Sequence, residues 1–158
     1  MLSRVTKLEA GDTAPAFALR DQYGETVRLT DFEGRKLLVY FYPEADTSGC
    51  TTQSCDIRDH RQELTDLGVA VLGISPDEPA KQLAFDEKFS LGFPLLADTD
   101  HAVAEAWGTW GEMKVYGKTH LVITRSSFLI DEEGRVQEAW YRVKADQTVA
   151  KAKDALAT

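Results

Sequence analysis

Hydrophobic positions along this chain form two kinds of run, which differ in their spacing. Residues 36–42 and 69–74 are almost continuously apolar and rich in aromatic or β-branched side chains. Such runs are typical of strands that are buried on both faces of a sheet. Residues 50–67 and 80–89 instead repeat apolar side chains at helical spacing. The alternation of these runs predicts an α/β fold.

The two ends of the chain add paired strands to this alternation. Residues 17–19 and 26–29 flank a polar, glycine-containing turn, a pattern that predicts a short β-hairpin. Residues 124–130 and 136–141 are expected to pair in the same way. A helix at residues 147–156 is predicted to follow the second pair.

Between these ends, a short strand at residues 93–96 and a helix at residues 101–107 are expected. A stretch at 108–118 with Gly, Trp and Tyr interrupts the pattern. The overlapping residues 107–116 contain three aromatic side chains, for which ordinary loop packing, a dimer contact and a substrate-side loop are the open interpretations. The whole arrangement predicts a central mixed sheet flanked by helices. This is the thioredoxin-like fold with an N-terminal β-hairpin extension, and we expect residues 1–158 to form one domain.

Composition excludes several classes of function. The net charge is −8, from 26 acidic and 18 basic residues, with no basic run, so neither nucleic acid nor an anionic membrane is an expected partner. The longest apolar runs fall far short of the roughly 20 residues that a membrane-spanning helix needs. The N-terminus lacks the apolar segment of a secretory signal. We therefore expect a cytoplasmic protein.

The two cysteines, Cys50 and Cys55, lie where a loop enters the predicted helix 50–67. The first turn of a helix has unpaired N–H groups and a positive dipole end, so it stabilises a thiolate at Cys50. The thiolate is the reactive form of cysteine. The hydroxyl of Thr47, three residues upstream, could contact the sulfur or a peroxide oxygen, cap the helix, or do both.

The spacing of the two cysteines limits how they can bond. Five helical residues separate Cα atoms by roughly 8 to 9 Å, whereas a disulfide requires less than about 7 Å. A Cys50–Cys55 disulfide therefore requires the helix to unwind locally. A structural disulfide would not be built this way, but a catalytic cycle could use the unwinding, with a sulfenic acid condensing with the second thiol.

Other interpretations of the cysteines are weaker. They could be two unrelated buried thiols, because free cysteine often serves as a small apolar residue. Zinc is not expected, since His60, His101 and His120 are scattered and no second cysteine pair is present. His60 would lie about 15 Å from Cys50 along the helix, too far to act as its base. The Cys-x-x-Cys motif of dithiol oxidoreductases is absent.

The segment from Phe41 to Cys55, Phe-Tyr-Pro-Glu-Ala-Asp-Thr-Ser-Gly-Cys-Thr-Thr-Gln-Ser-Cys, strongly resembles the active-site region of peroxiredoxins. It has the family pattern Pro-x-x-x-Thr-x-x-Cys, and its second cysteine resembles that of the Q-type, or bacterioferritin comigratory protein, subgroup. The resemblance extends over nearly the whole chain, through residues 73–77, 93–96, 116–118 and 125–131.

The resemblance implies a role for five residues. Cys50 corresponds to the peroxidatic cysteine and Cys55 to the resolving one. Thr47 matches the hydroxyl that bonds peroxide, Pro43 the residue that shields the pocket from water, and Arg125 the active-site arginine. An arginine there would stabilise the thiolate and polarise the peroxide. Two positions depart from the subgroup's usual pattern, namely Ser48 in place of proline and Gln53 in place of a common glutamate.

The function implied by this resemblance is a thioredoxin-dependent peroxidase for hydrogen peroxide and organic hydroperoxides, active in antioxidant defence. It would need no metal, haem, flavin or other cofactor. The Q-type likeness and the intramolecular resolving cysteine also suggest a monomer. Two alternatives remain open at this point: a thiol-disulfide oxidoreductase or redox sensor, and a non-catalytic binding or holdase module on the same scaffold.

Overall fold

A computed structural model describes residues 7–157 of the chain. The described strands are β1 (Ala18–Arg20), β2 (Thr26–Arg28), β3 (Lys36–Phe41), β4 (Val69–Ser75), β5 (Leu95–Ala97), β6 (Trp110–Val115), β7 (Lys118–Ile123), β8 (Ser126–Ile130) and β9 (Val136–Trp140). The described α-helices are α1 (Ser48–Asp59), α2 (Arg61–Asp66), α3 (Pro79–Phe89), α4 (Ala102–Ala106) and α5 (Thr148–Leu156), and a 3₁₀ turn spans Leu29–Phe32. Within residues 7–157, no helix combines the length and the apolar content that crossing a membrane requires.

Seven of the strands form one sheet in the order β2-β1-β5-β4-β3-β8-β9. The central strand β3 runs parallel to β4 and antiparallel to β8. The N-terminal hairpin β1–β2 joins the sheet through β5, where Arg20 pairs with Ala97. The predicted central mixed sheet with a hairpin at each end is confirmed.

Strand β3 is buried on both of its faces, as its continuous apolar run predicted. Leu37, Val39 and Phe41 point into one hydrophobic cluster, which also contains Trp107. Leu38 and Tyr40 point into a second cluster, on the face covered by α1, α2, α3 and α5. This alternation follows from the two-residue period of side chains along a strand. The sheet therefore has a packed layer on each side.

The prediction of one continuous helix over residues 50–67 is wrong, because the structure has two helices there. The helix α1 ends at Asp59, and α2 begins after His60. The His60 backbone N–H is shared between the carbonyls of Asp56 and Ile57, at 3.2 Å each, and its ring Nδ1 lies 2.8 Å from the Asp56 carbonyl. Bonds of this shared kind are common where a helix ends.

The stretch at 108–118, for which no regular structure was predicted, forms most of a hairpin that extends to Ile123. Strands β6 and β7 pair along their whole length as a separate two-stranded sheet. Trp107 is fully buried and Trp110 stacks on His101 at 3.9 Å between ring centroids, whereas Tyr116 at the turn is wholly exposed. Packing thus accounts for the two tryptophans. The strand predicted at residues 124–130 begins at Ser126, which is two residues after its predicted start.

Candidate active site

Cys50 is the third residue of α1, directly beyond the carboxyl end of β3. The first helical bond runs from the Thr51 N–H to the Thr47 carbonyl at 2.8 Å, which places Cys50 in the first turn as predicted. The thiol is fully buried within the cluster on the helical face. The sulfur therefore lies away from solvent, at the N-terminal end of α1, where the helix dipole attracts negative charge.

The loop between β3 and α1 is bonded to helix α3 and to Asp77, which lies just before that helix. The Ala45 N–H donates to the Asp77 carboxylate at 2.7 Å. Lys81 lies 2.7 Å from Glu44, and Lys88 lies 2.9 Å from Asp46. The hydrogen bond that Lys81 donates to Glu44 is the main cause that raises the pKa of Lys81, so this lysine keeps its charge. These contacts fix the direction in which the chain enters α1.

Arg125, the residue directly before β8, reaches Cys50 from the neighbouring part of the sheet. Its two terminal nitrogens, Nη1 and Nη2, each lie 3.5 Å from the Cys50 sulfur. The register of the sheet explains this approach, because Ser126 pairs with Phe41 at the end of β3 and so places Arg125 beside the start of α1. A Cβ atom on Gly49 would lie only 2.8 Å from Nη2. Glycine at position 49 therefore leaves the space that the guanidinium fills.

Gln53, one of the two departures from the subgroup pattern, connects Arg125 to the rest of the fold. Arg125 Nη1 donates to Gln53 Oε1 at 2.8 Å, and Gln53 Nε2 donates to Thr148 Oγ1 at 3.0 Å. Thr148 in turn shares a 2.8 Å hydrogen bond with Ser127. Gln53 and Thr148 are fully buried. Sequence analysis identified Gln53 only as a departure from the subgroup pattern. Its position three residues after Cys50, close to one helical turn, could have indicated that it faces the same pocket.

Thr47 stands at the N-cap position of α1, but its hydroxyl does not cap the helix. It donates instead to the Glu44 carbonyl at 2.7 Å, so the predicted capping bond is wrong. Asp46, between these two residues, has a φ of 63°, so the chain turns between the hydroxyl and the carbonyl that accepts from it. The Thr47 oxygen still has acceptor capacity for a second bond.

Cys55 is half-buried and lies on the same helix as Cys50, and both thiols are free. It packs against the cluster that contains Cys50. The helix between them is intact, so the two sulfurs are held in the unbonded arrangement that the five-residue spacing predicts. In the next residue, Asp56, the carboxylate Oδ1 lies 3.4 Å from the Nδ1 of His60. Burial is the main cause that raises the pKa of the Asp56 carboxyl.

An open groove of about 490 Å³ leads to this region. Arg125 and Pro43 are among its lining residues, and the others are Glu112, Val122, Ile123, Thr124, Arg142 and Val143. The hairpin β6–β7, which the sequence did not predict, supplies three of these residues. Neither cysteine lines this groove or a second cavity of about 210 Å³, which lies at the opposite end of β3. Among the described residues, no group of three or more His, Cys, Asp or Glu side chains is arranged to hold a metal ion.

Comparison with known proteins gives a consistent set of likenesses. Residues 10–139 match the AhpC/TSA family. The chain is 54% identical over 133 residues to peroxiredoxin Bcp of Escherichia coli K12, which covers 84% of this chain and 85% of that protein. It is 49% identical over 150 residues to a putative peroxiredoxin of Mycobacterium tuberculosis H37Rv, covering 95% of this chain and 96% of that protein.

Solved structures extend the likeness to the fold. A cysteine-to-serine mutant of Xanthomonas campestris peroxiredoxin Q has a TM-score of 0.88 and 34% identity, over 94% of this chain and 98% of that one. A structure that addresses the alkyl peroxide reduction activity of Xanthomonas campestris bacterioferritin comigratory protein has a TM-score of 0.87 and 33% identity, over 94% and 98% of the two chains. These likenesses confirm the predicted thioredoxin-like fold.

Proposed function

Because this chain belongs to the AhpC/TSA family and is a thiol peroxidase of the peroxiredoxin type, we propose that Cys50 is its peroxidatic cysteine and Cys55 its resolving cysteine. The observation that supports this assignment best is the position of Arg125, whose two terminal nitrogens lie 3.5 Å from the Cys50 sulfur. A fixed cation beside a buried sulfur at a helix N-terminus favours the thiolate, which is the form that attacks peroxide.

In the first step, the Cys50 thiolate attacks one oxygen of the peroxide. The O–O bond breaks, the sulfur becomes a sulfenic acid, and the other oxygen leaves as water or an alcohol after taking up a proton. Arg125 stabilises the negative charge that moves from sulfur to the leaving oxygen. The Thr47 hydroxyl would bond the peroxide, and Pro43, which lines the groove, would keep water from it.

In the second step, the sulfenic acid condenses with the Cys55 thiol, which forms a disulfide and releases water. The five-residue helical spacing forbids this bond while α1 is intact. The start of α1 must therefore unwind. An external dithiol then reduces the disulfide by exchange, and we assign this role to thioredoxin.

The surroundings of the site agree with these assignments. The groove places the apolar side chains of Val122, Ile123 and Val143 around Arg125, which suits organic hydroperoxides as well as hydrogen peroxide. A resolving cysteine in the same chain makes a second subunit unnecessary, so we propose that the protein acts as a monomer. A net charge of −8 disfavours nucleic acid and anionic membranes as partners, and we propose a cytoplasmic location.

The experiment that tests this function is a coupled assay with thioredoxin, thioredoxin reductase and NADPH. We expect the complete system to consume NADPH only when hydrogen peroxide or an organic hydroperoxide is added to the reduced protein. Disulfide formation without peroxide turnover would support a redox sensor or oxidoreductase instead. A protein that consumes no peroxide with both thiols reduced would contradict the proposal and favour a binding module.

Replacing Arg125 with methionine should slow the oxidation of Cys50 on the order of 100-fold, because the fixed positive charge beside the sulfur is lost. Lysine at this position should recover only part of the rate, since it lacks the two-pronged geometry of the guanidinium. The measurement is the rate of Cys50 oxidation under single-turnover conditions.

The matched control for this substitution is Arg35→Met, which makes the same charge change at an exposed position before the opposite end of β3. This variant should react at the wild-type rate. An Arg125→Met protein as fast as the control would exclude Arg125 from the first step.

A further inference from the structure

The segment of α1 that must unwind contains two adjacent polar residues that are completely buried. Gln53 and Ser54 precede Cys55 directly, and both have no exposed surface. Gln53 is bonded to Arg125 and to Thr148. Ser54 shares a 2.8 Å hydrogen bond with the phenol of Tyr40, a residue of the central strand. Moving Cys55 toward Cys50 disturbs this part of the helix.

Tyr40 is a rigid partner for this bond. It pairs with Gly73 of β4 in the sheet, and a Cβ atom on Gly73 would lie 2.8 Å from the phenol ring. Its ring also stacks on Tyr42 at 5.3 Å between centroids and meets the edge of Phe93 at 6.1 Å. Burial is the main cause that raises the pKa of Tyr40 far above its ordinary range, so the hydroxyl keeps its proton and can donate.

We propose that Tyr40 and Ser54 are positioning residues that hold the intact form of α1 and thereby set the rate at which Cys55 reaches the oxidised Cys50. This inference rests on the proposed Cys50–Cys55 disulfide. When the helix opens, the Tyr40 hydroxyl loses its partner inside an apolar cluster, and an unpaired buried hydroxyl is costly. The bond therefore opposes opening without touching the reacting sulfur.

The consequence is a competition at the sulfenic acid. If the helix opens first, the sulfenic acid condenses with the Cys55 thiol, forms the disulfide and releases water. If a second peroxide arrives first, it transfers one oxygen to the same sulfur, giving a sulfinic acid and releasing water or an alcohol. The Tyr40–Ser54 bond prolongs the intact state and so shifts this competition toward the sulfinic acid.

Tyr40→Phe tests the proposal, because it removes the hydroxyl and keeps the packed ring. After one equivalent of hydrogen peroxide, rapid acid quenching and mass spectrometry should show the disulfide forming about three- to ten-fold faster, as expected for the loss of one buried hydrogen bond. In a parallel experiment with excess peroxide and the thioredoxin system, the fraction of Cys50 converted to sulfinic acid per turnover should fall by a similar factor. The rate of the first oxidation should not change.

Tyr42→Phe is the matched control. Tyr42 is equally buried and stacks on Tyr40, but its hydroxyl donates to Gln82 of α3 and not to α1. Its disulfide should form at the wild-type rate. Equal rates in wild type and Tyr40→Phe, or equal acceleration by both variants, would overturn the proposal.

A double-mutant cycle with Ser54→Ala separates the bond from changes in helix propensity. The effect of Tyr40→Phe should disappear in the Ser54→Ala background, because its partner is already absent. A Tyr40→Phe effect that persists unchanged in that background would contradict the proposal. Thermal unfolding of each variant identifies any that fail to fold.

If the wild-type protein forms no Cys50–Cys55 disulfide, the proposed function itself fails. If the disulfide forms but Tyr40→Phe leaves its rate unchanged, only this inference fails.

Discussion

Replacing Cys50 with serine is expected to abolish peroxide consumption, with a loss on the order of 10⁴-fold or more, the scale seen when an enzyme loses its nucleophile. A serine hydroxyl is a weak nucleophile unless a base activates it. The charged group in contact with position 50 within residues 7–157 is the Arg125 guanidinium, which accepts no proton. The fold should be kept, since serine is close in size to cysteine.

The measurement is the disappearance of peroxide after mixing with the reduced variant, followed by titration of free thiols. In Cys50→Ser the Cys55 thiol should remain free after exposure to peroxide. Peroxide-dependent loss of the Cys55 thiol in this variant would mean that Cys55 is itself a nucleophile, and the two roles would have to be exchanged.

Replacing Cys55 with serine should have a different effect, which separates the two steps of the cycle. The variant should consume one equivalent of peroxide per chain at the wild-type rate and then fail to turn over, because the sulfenic acid at Cys50 has no thiol with which to condense and can only be oxidised further by excess peroxide. Thioredoxin-coupled oxidation of NADPH should be lost, since the disulfide that thioredoxin would attack cannot form.

The single turnover of Cys55→Ser can be followed by trapping the sulfenic acid with a dimedone-type reagent. The wild-type protein, treated in the same way, serves as the control and should yield the disulfide. Sustained turnover of Cys55→Ser with thioredoxin would contradict the resolving role of Cys55 and leave only the assignment of Cys50 standing.

Much of the fold could be predicted because its strongest signals are local. The apolar run of β3 indicated burial on both faces, and the two clusters on either side of that strand agree with it. The spacing of Cys50 and Cys55 likewise implied an unbonded pair in an intact helix. The approach of Arg125 to Cys50 could not be predicted in this way. It depends on the pairing of Phe41 with Ser126 across the sheet, and only the family resemblance indicated it.

Two features were missed for opposite reasons. The hairpin β6–β7 lacks an apolar alternation because most of β7 is exposed, with only Ile123 at its end buried. The break at His60 was hidden because Ile57 and Leu64 continue the helical spacing on both sides of it and remain fully buried. Periodicity therefore detects which face is buried, and it does not detect where the backbone is interrupted or where a strand lies outside the core.

The separation of Cys50 and Arg125 by 75 residues has a consequence for synthesis of the chain. Strand β3 and helix α1 leave the ribosome well before β8, which follows Arg125 directly. Folding of the sheet must wait for this distant strand, because non-local pairings form only after the intervening chain is available. The nascent protein thus exposes its cysteine without the guanidinium beside it. If Arg125 has the role proposed above, the Cys50 thiol should reach its full reactivity only when nearly all of the domain has been translated.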